Sequence, residues 1–486
     1  MDTLNPNQRE VIDALVRGEN VFMTGCGGTG KSYVIGAILE NLKELTGRTV
    51  LRIQVTAMTG CAALLLGHQA KTLHSWAGIL LGKDSVEELV TRIKRNRRSG
   101  QRWRNTDLLV IDEVSMLTRE LLEKLDAIGQ AVRRNTKPFG GIQLLLSGDF
   151  HQLPPVVKDF ERTGAGAGAG ASSSVFAFTS PRWPALIQRT IELTEIVRQS
   201  DPAFQKVLLE ARSGHLSEES TALLRARVGL DWQELRIKPT LLFPRRAEVD
   251  TINQANIGSL KGERHTYTTG VRWNIGDAKT PVYVSRPPLG FNVLDESFVR
   301  CVAKTDRDAS YEEILELCEG AQVMLLRNMP EHGLVNGSRG IVVGFDSVVP
   351  HTPHVEFLKQ GSADTVRIPV GVSTWDIEDN PGVARVQIPL RLAWACTIHK
   401  AQGSTLDCAL IDIGRGTFES GQAYVALSRV RSLDGLYIHD FDPVAFRTNE
   451  EVLAFYRSMR SAAAATAAAA TAAAAATAAA TAAHAE

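Results

Sequence analysis

Gly25-Cys26-Gly27-Gly28-Thr29-Gly30-Lys31-Ser32 fits the pattern G-x-x-x-x-G-K-[ST], and no other stretch constrains the fold as tightly. The apolar run Val21-Phe22-Met23 precedes it, and helical spacing over residues 32–45 follows it. Strand, glycine-rich turn and helix in that order surround a phosphate with backbone N–H groups and a helix N-terminus. In such a loop Gly25, Gly28, Thr29 and Gly30 form the cradle and Lys31 reaches the β- and γ-phosphates. Ser32 offers its hydroxyl to Mg²⁺. The geometry needs a sheet behind it, so an α/β fold is predicted.

The other strands are legible because they are continuously apolar. Residues 50–55, 108–111 and 142–146 lack the in-out alternation of a half-exposed strand, which suits a parallel sheet covered on both faces. Leu108-Leu109-Val110-Ile111 delivers Asp112 and Glu113 to its carboxyl edge, where open parallel sheets bind ligands. There Asp112 is suited to hold Mg²⁺ and Glu113 to take a proton from an attacking water. The run 142–146 leads into Ser147-Gly148-Asp149-Phe150-His151-Gln152, where Gln152 is placed to sense a γ-phosphate or orient water. Three such strand ends describe a nucleoside-triphosphate hydrolase.

A second set of runs (190–193, 240–243, 392–397 and 409–413) predicts a second parallel sheet. Between them, residues 321–389 break into short strands with Gly and Pro turns, expected as a small inserted β-barrel-like module. The predicted organisation is therefore a first domain over 1–188, carrying a small insertion at about 77–105, and a second over 189–320 and 390–460. Residues 164–174 (GAGAGAGASSS) read as a flexible connector, and 461–486, with 19 alanines in 26 residues, as a low-complexity tail outside the fold.

The motifs, in order, resemble the PIF (petite integration frequency) family of superfamily 1B helicases. The resemblance runs from Leu4-Asn5-Pro6-Asn7-Gln8 through the phosphate loop, Thr56-Ala57-Met58-Thr59-Gly60 and Thr72-Leu73-His74-Ser75-Trp76 to Ile111-Asp112-Glu113 and Gly148-Asp149-Phe150-His151-Gln152. It continues in Leu193-Thr194-Glu195-Ile196-Val197-Arg198-Gln199, Val335-Asn336-Gly337-Ser338-Arg339-Gly340, Thr397-Ile398-His399-Lys400-Ala401-Gln402-Gly403 and Ala423-Tyr424-Val425-Ala426-Leu427-Ser428-Arg429, covering about residues 4–457. It implies two RecA-like P-loop domains with an SH3-like inserted module, and ATP bound between the domains. Gln8 would read adenine, Gly403 would join the nucleotide site, and the small insertion would act as a wedge. Arg198 and Arg429 would be arginine fingers offered from the second domain, and a trans arginine makes hydrolysis depend on domain closure. The implied track is single-stranded DNA, followed 5′→3′ by a monomeric motor that unwinds duplexes and junctions in genome maintenance. Thr59, His74, His399 and Lys400 would line that track. Phe150, Trp76 and Trp183 are either base-stacking groups or core.

Charge qualifies this picture. The chain has 54 basic and 54 acidic residues, a net charge of zero, where nucleic-acid binding normally leaves a basic footprint. A confined strip of donors between domains satisfies both facts, and Lys94-Arg95-Asn96-Arg97-Arg98 with Arg102 and Arg104 is the one dense basic cluster: a DNA grip or a solvated helix face. Six cysteines without a C-x-x-C pair argue against a disulfide scaffold or zinc site. No long apolar span and no leader pattern at the first helix predict a soluble intracellular protein, nuclear or in the nucleoid by the family's habit. A single-strand translocase or protein remover that unwinds weakly, an RNA-directed helicase and an ATP-gated clamp are the competing expectations.

Overall fold

The computed structural model describes residues 4–155 and 175–465, apart from 49, 68, 69, 81, 83, 236, 237, 277–281, 310, 349, 350, 359–363 and 378–381. The connector at 164–174 and the tail beyond 465 lie outside these residues, and 461–465 continue a helix that begins at 450.

Six strands form the first sheet: β1 (Val21–Gly25), β2 (Ile53–Ala57), β3 (Lys71–Thr72), β4 (Leu108–Asp112), β5 (Gln143–Ser147) and β6 (Arg189–Leu193). Their spatial order is β3-β2-β4-β5-β1-β6, every pair parallel. All residues of β1 and β4 are buried because successive side chains enter different cores. Val21, Met23, Leu108 and Val110 pack beneath the helices Pro6–Val16 and Lys31–Leu45, whereas Phe22, Leu109 and Ile111 face the opposite layer. That second layer is closed by the helix Arg119–Arg133 and by the helix at 450–465, which brings Val452 and Tyr456 back against the first sheet.

Four parallel strands form the second sheet, in the order Ala395–Thr397, Thr240–Phe243, Ala409–Ile413, Leu436–Phe441. The inserted region contains an antiparallel five-stranded sheet ordered Thr365–Pro369, Pro353–Leu358, Arg339–Phe345, Gln322–Leu325, Leu390–Leu392. Its order is open, with no closing pair among the described residues.

Two expected boundaries are corrected. β6 was expected to open the second domain at 189, yet Arg189 to Leu193 pair in register with Val21 to Gly25, making β6 an edge strand of the first sheet. The insertion begins well before 321: Gly270–Asn274 pairs with Val383–Gln387, and His265–Thr268 with Ile314–Leu317. These early strands alternate polar and apolar residues and give no continuous apolar run. The expected insertion at about 77–105 packs on its host domain. Its helices Val86–Arg95 and Arg97–Asn105 bury Leu89, Ile93 and Trp103 in the first domain's core, and Trp103 Nε1 donates to Ala77 O at 3.0 Å.

Candidate nucleotide site and its approaches

At the end of β1 the backbone turns sharply out of the sheet. Gly28 adopts φ +93°, and a Cβ there would stand 2.8 Å from both Arg198 Cβ and Gln199 Oε1, so the position demands glycine for conformation and for space. Thr29, fully buried, donates from Oγ1 to Cys26 O at 2.9 Å and closes the loop on itself. Lys31 opens the following helix and lies over the loop, Nζ donating to Gly25 O (2.7 Å) and Cys26 O (3.1 Å). Desolvation lowers its pKa, while Asp149, Glu113 and Asp112 oppose the shift.

β4 delivers the two carboxylates to the same edge. Asp112 is buried and accepts a hydrogen bond from Ser147 Oγ at 2.7 Å; burial, then the neighbouring Glu113, push its pKa upward. Glu113 sits at φ +55°, a left-handed conformation costing a non-glycine residue about 1–3 kcal/mol. Its Oε2 accepts from Gln402 Nε2 at 3.0 Å, and the same amide lies 3.5 Å from Gln152 Oε1. Gln402 belongs to the second domain and was not among the predicted site residues. Its signal was its place between Lys400 and Gly403, at the end of the helical turn Ile398–Ala401 that follows a parallel strand.

The two arginines meet at Ser428. Arg198 Nη1 donates to Ser428 O (2.9 Å), while Arg429 Nη2 donates to Ser428 Oγ (2.7 Å) and Nε to Val425 O (3.0 Å). Desolvation, then the proximity of Arg429, draw the Arg198 pKa down to about 9; burial also lowers that of Arg429, against the pull of Glu113. The expectation that both arginines come from the second domain needs correction. Arg198 follows β6, and the Val197 and Arg198 N–H groups donate to Gly28 O at 2.9 and 3.1 Å, tying its backbone to the phosphate loop itself. Only Arg429 is carried by the second domain.

A cavity of about 290 Å³ between the sheets gathers Gly28, Gly30, Lys31, Ser32, Asp112, Glu113, Gln152, Arg198, Gly403 and Arg429. Gly25 and Thr29 shape the loop without lining the cavity, which Tyr33 also borders. Gln8 lies behind the loop, Nε2 donating to Thr29 O at 3.4 Å and Oε1 accepting from Asn5 N at 3.1 Å. Ser32 and Asp112 share the cavity: a hydroxyl and one carboxylate, leaving other positions to water and phosphate, is a donor set suited to Mg²⁺.

The residues expected to meet nucleic acid stand apart from the cavity. Thr59, His74 and His399 each lie two positions beyond a parallel strand (β2, β3 and Ala395–Thr397), so all occupy carboxyl edges of the two sheets. Thr59 Oγ1 accepts from Ala62 N at 3.1 Å; His399 is half-buried, its pKa lowered by burial, and Lys400 is exposed. Of the two readings of the aromatics, the core one holds: Phe150, Trp76 and Trp183 are 2%, 1% and 7% exposed. The basic cluster divides, since Arg102 donates to Trp76 O and Ser75 O, whereas Lys94, Arg95, Arg97, Arg98 and Arg104 are exposed. No helix among the described residues is long and apolar enough to cross a membrane.

Fold and site define a P-loop nucleotide-binding protein in which a second parallel-sheet domain presents polar side chains to the loop. A family model described as PIF1-like helicase matches residues 3–222, and one described as DNA helicase Pif1, 2B domain, matches residues 310–345 within the inserted region. The chain is 39% identical over 465 residues to the ATP-dependent DNA helicase PIF1 of Homo sapiens, covering 94% of this chain but 64% of that protein, slightly under two thirds of its length. The crystal structure of Pif1 helicase from Candida albicans is similar with a TM-score of 0.72 and 34% identity, over 94% of this chain and 100% of that one. That of Pif1 helicase from Bacteroides in complex with ADP-AlF3 and single-stranded DNA gives 0.60 and 27%, over 94% and 97%. This chain belongs to the PIF1-like helicase family.

Proposed function

We propose that the chain is an ATP-driven motor that moves 5′→3′ along single-stranded DNA and separates the duplex ahead of it. The observation that carries this reading is the divided cavity. The phosphate loop, Asp112 and Glu113 belong to the first sheet, while Gln402 and Arg429 reach them from the second. Bound Mg²⁺, held by Ser32 and Asp112, would help neutralise the phosphates. Loop N–H groups and Lys31 hold the β- and γ-phosphates, Gln8 approaches the adenine, and Gly403 borders the nucleotide. Glu113 accepts a proton from the attacking water, which Gln152 orients. Arg198 and Arg429 stabilise the charge developing on the γ-phosphate.

Because Arg429 and Gln402 ride on the second domain, hydrolysis and domain closure become one event, and closure moves the track-lining edges bearing Thr59, His74, His399 and Lys400. Both sides of the cavity come from one chain, so a single copy suffices. The Bacteroides relative's single-stranded DNA supports the same track here, and DNA junctions in the nucleus or nucleoid are the substrate such a motor meets.

The test is ATP turnover with and without single-stranded DNA, followed by unwinding of 5′-tailed and 3′-tailed duplexes. DNA-stimulated turnover and unwinding of the 5′-tailed substrate alone are expected, both abolished in Lys31→Ala. Unwinding of 3′-tailed substrates only, stimulation by RNA alone, or turnover without strand separation would overturn the reading.

A further inference from the structure

Tyr424 is a buried side chain of the second domain whose hydroxyl touches the phosphate loop of the first. It is 1% exposed, and its Oη accepts the Gly27 N–H at 2.7 Å. Its single proton has two acceptors in reach, Asp149 Oδ2 at 3.0 Å and Cys26 Sγ at 3.1 Å. Asp149 is the stronger, being a carboxylate gripped by Arg212 through Nε (3.0 Å to Oδ2) and Nη2 (3.1 Å to Oδ1). The phenol is thus oriented, its proton towards Asp149 and a lone pair towards the Gly27 amide.

Arg429 directly follows the same short helix and its cap, Ser428. Tyr424 lies in Gln422–Leu427, Ser428 N donates to Tyr424 O at 2.9 Å, and Arg429 Nε returns to Val425 O at 3.0 Å. One helical turn therefore separates a hydroxyl fixed on the loop from a guanidinium facing the cavity. The approach is close on the other side too: a Cβ at Gly27 would stand 3.1 Å from Ser428 Cβ and 3.5 Å from an Arg429 nitrogen, tight enough to press on both. We propose that Tyr424 is a positioning residue for Arg429: by docking its helix on the Gly27 amide, it sets the distance of the guanidinium from the γ-phosphate. This rests on reading Arg429 as the group that stabilises the transferring phosphate.

A residue that merely packs would be replaced without kinetic consequence by phenylalanine, which keeps the ring and loses only the hydroxyl. If the hydroxyl positions Arg429, the loss falls on turnover rather than nucleotide binding, since the loop and Lys31 still hold the phosphates. A misplacement of about 1 Å at a reacting centre costs on the order of 10²-fold.

The experiment measures steady-state ATP turnover of the full chain with saturating single-stranded DNA, and ATP affinity by fluorescent-nucleotide competition. Its variants are Tyr424→Phe, Arg429→Ala and the double variant. Tyr424→Phe should lower kcat by about 10- to 100-fold with ATP affinity within about threefold of the parent. Added to Arg429→Ala it should lower kcat no further, as expected of two residues acting as one unit. A kcat within twofold of the parent, or losses that multiply in the double variant, would overturn the proposal. Normal turnover in Arg429→Ala would overturn instead the reading beneath it. Should Tyr424→Phe not fold, Gly27→Ala presses a Cβ on Ser428 and Arg429 and so shifts the docked segment from the loop side. It should likewise lower kcat about tenfold or more at retained ATP affinity, and an unchanged kcat would sink the idea.

Discussion

Two clusters of buried charge sit between the same pair of parallel sheets, on either side of the phosphate loop, and their internal bonding differs. On the cavity side Lys31, Arg198 and Arg429 have no ion pair among the described residues; their hydrogen bonds go to carbonyls and to the Ser428 hydroxyl. Burial draws the pKa of all three down and pushes that of Asp112 up, so each is held at a cost in its charged form. Behind the loop every charge meets its opposite. Arg212 forks Asp149 and also donates to Glu192 at 2.9 Å, and Tyr424 and Tyr456 complete the carboxylate's shell. Asp149 is thereby drawn down to about 2 and Arg212 raised well above its ordinary value. The first cluster is organised to receive an external anion and cation, whereas the second is complete and joins the domains.

The largest expected effect is on the cavity side, where Glu113→Gln should lower ATP turnover by about 10²- to 10⁴-fold. Nucleotide titration should show binding retained, and the thermal midpoint should not fall, since among the described residues the carboxylate accepts from the neutral Gln402 amide and makes no ion pair whose loss would destabilise the fold. A markedly lowered midpoint would erase the distinction between the two clusters. Behind the loop the pattern should invert. Arg212→Ala strips the buried Asp149 of the guanidinium that forks it, and the loss of one partner of such a pair costs about 3–5 kcal/mol in denaturant unfolding. Arg198→Ala, which relieves crowding with Arg429, should cost far less stability while impairing turnover. A loss below about 1 kcal/mol for Arg212→Ala would show that the rear cluster is not what holds the domains together.

Acid titration separates the clusters by pH. His151 is buried against Tyr456 (ring centroids 4.6 Å apart) and its Nδ1 pairs with Thr448 Oγ1 at 3.0 Å. Desolvation, aided by the nearby Arg212 and opposed by Asp149, lowers its pKa to about 4. A group whose folded pKa is depressed binds fewer protons folded than unfolded. Its stabilisation is therefore complete above about pH 6.5 and is lost as pH falls to about 4, an effect on the order of 3 kcal/mol. Asp149, depressed towards 2, continues to favour the fold until still lower pH. Asp112, whose pKa burial raises to about 6, binds its proton more readily folded than unfolded and so works the other way over this window. The readout is therefore the difference between two proteins: from pH 7 to pH 4.5 the parent should lose on the order of 2–3 kcal/mol more unfolding free energy than His151→Gln. Equal losses in the parent and in His151→Gln would place the acid sensitivity elsewhere.

How much of this was legible in the sequence follows from the range of each interaction. The loop from Gly25 to Ser32, the apolar strand ahead of Asp112 and the run ending at Gln152 are local statements, and the structure brings them to one cavity. β6 was assigned to the wrong domain because its alternating Arg189-Thr190-Ile191-Glu192-Leu193 suits the edge of either sheet, and only pairing with β1 decides. Gln402 and Tyr424 lay inside motifs noted for their neighbours. Nothing local marks one as the partner of Glu113 or the other as the partner of Gly27, 289 and 397 residues away. The rear cluster was least visible. Asp149, Arg212, Tyr424 and Tyr456 come from four separate segments, and their matching exists only once the helix at 450–465 returns to the first sheet.

The smallest effect tests whether burial, rather than the presence of an ion pair, sets the value of the rear cluster. Glu192 is held by two arginines at nearly equal distance, Arg212 at 2.9 Å and Arg460 at 2.8 Å. The Arg212 side chain is 6% exposed and that of Arg460 57%, so the two pairs share a carboxylate and differ chiefly in solvent access. Water screens the Arg460 pair and already solvates its guanidinium, so removing it strands no charge. Arg460→Ala should therefore cost less than about 1 kcal/mol in denaturant unfolding and leave ATP turnover unchanged. A loss approaching that of Arg212→Ala would show instead that Arg460, from the returning helix, is an essential part of the clasp.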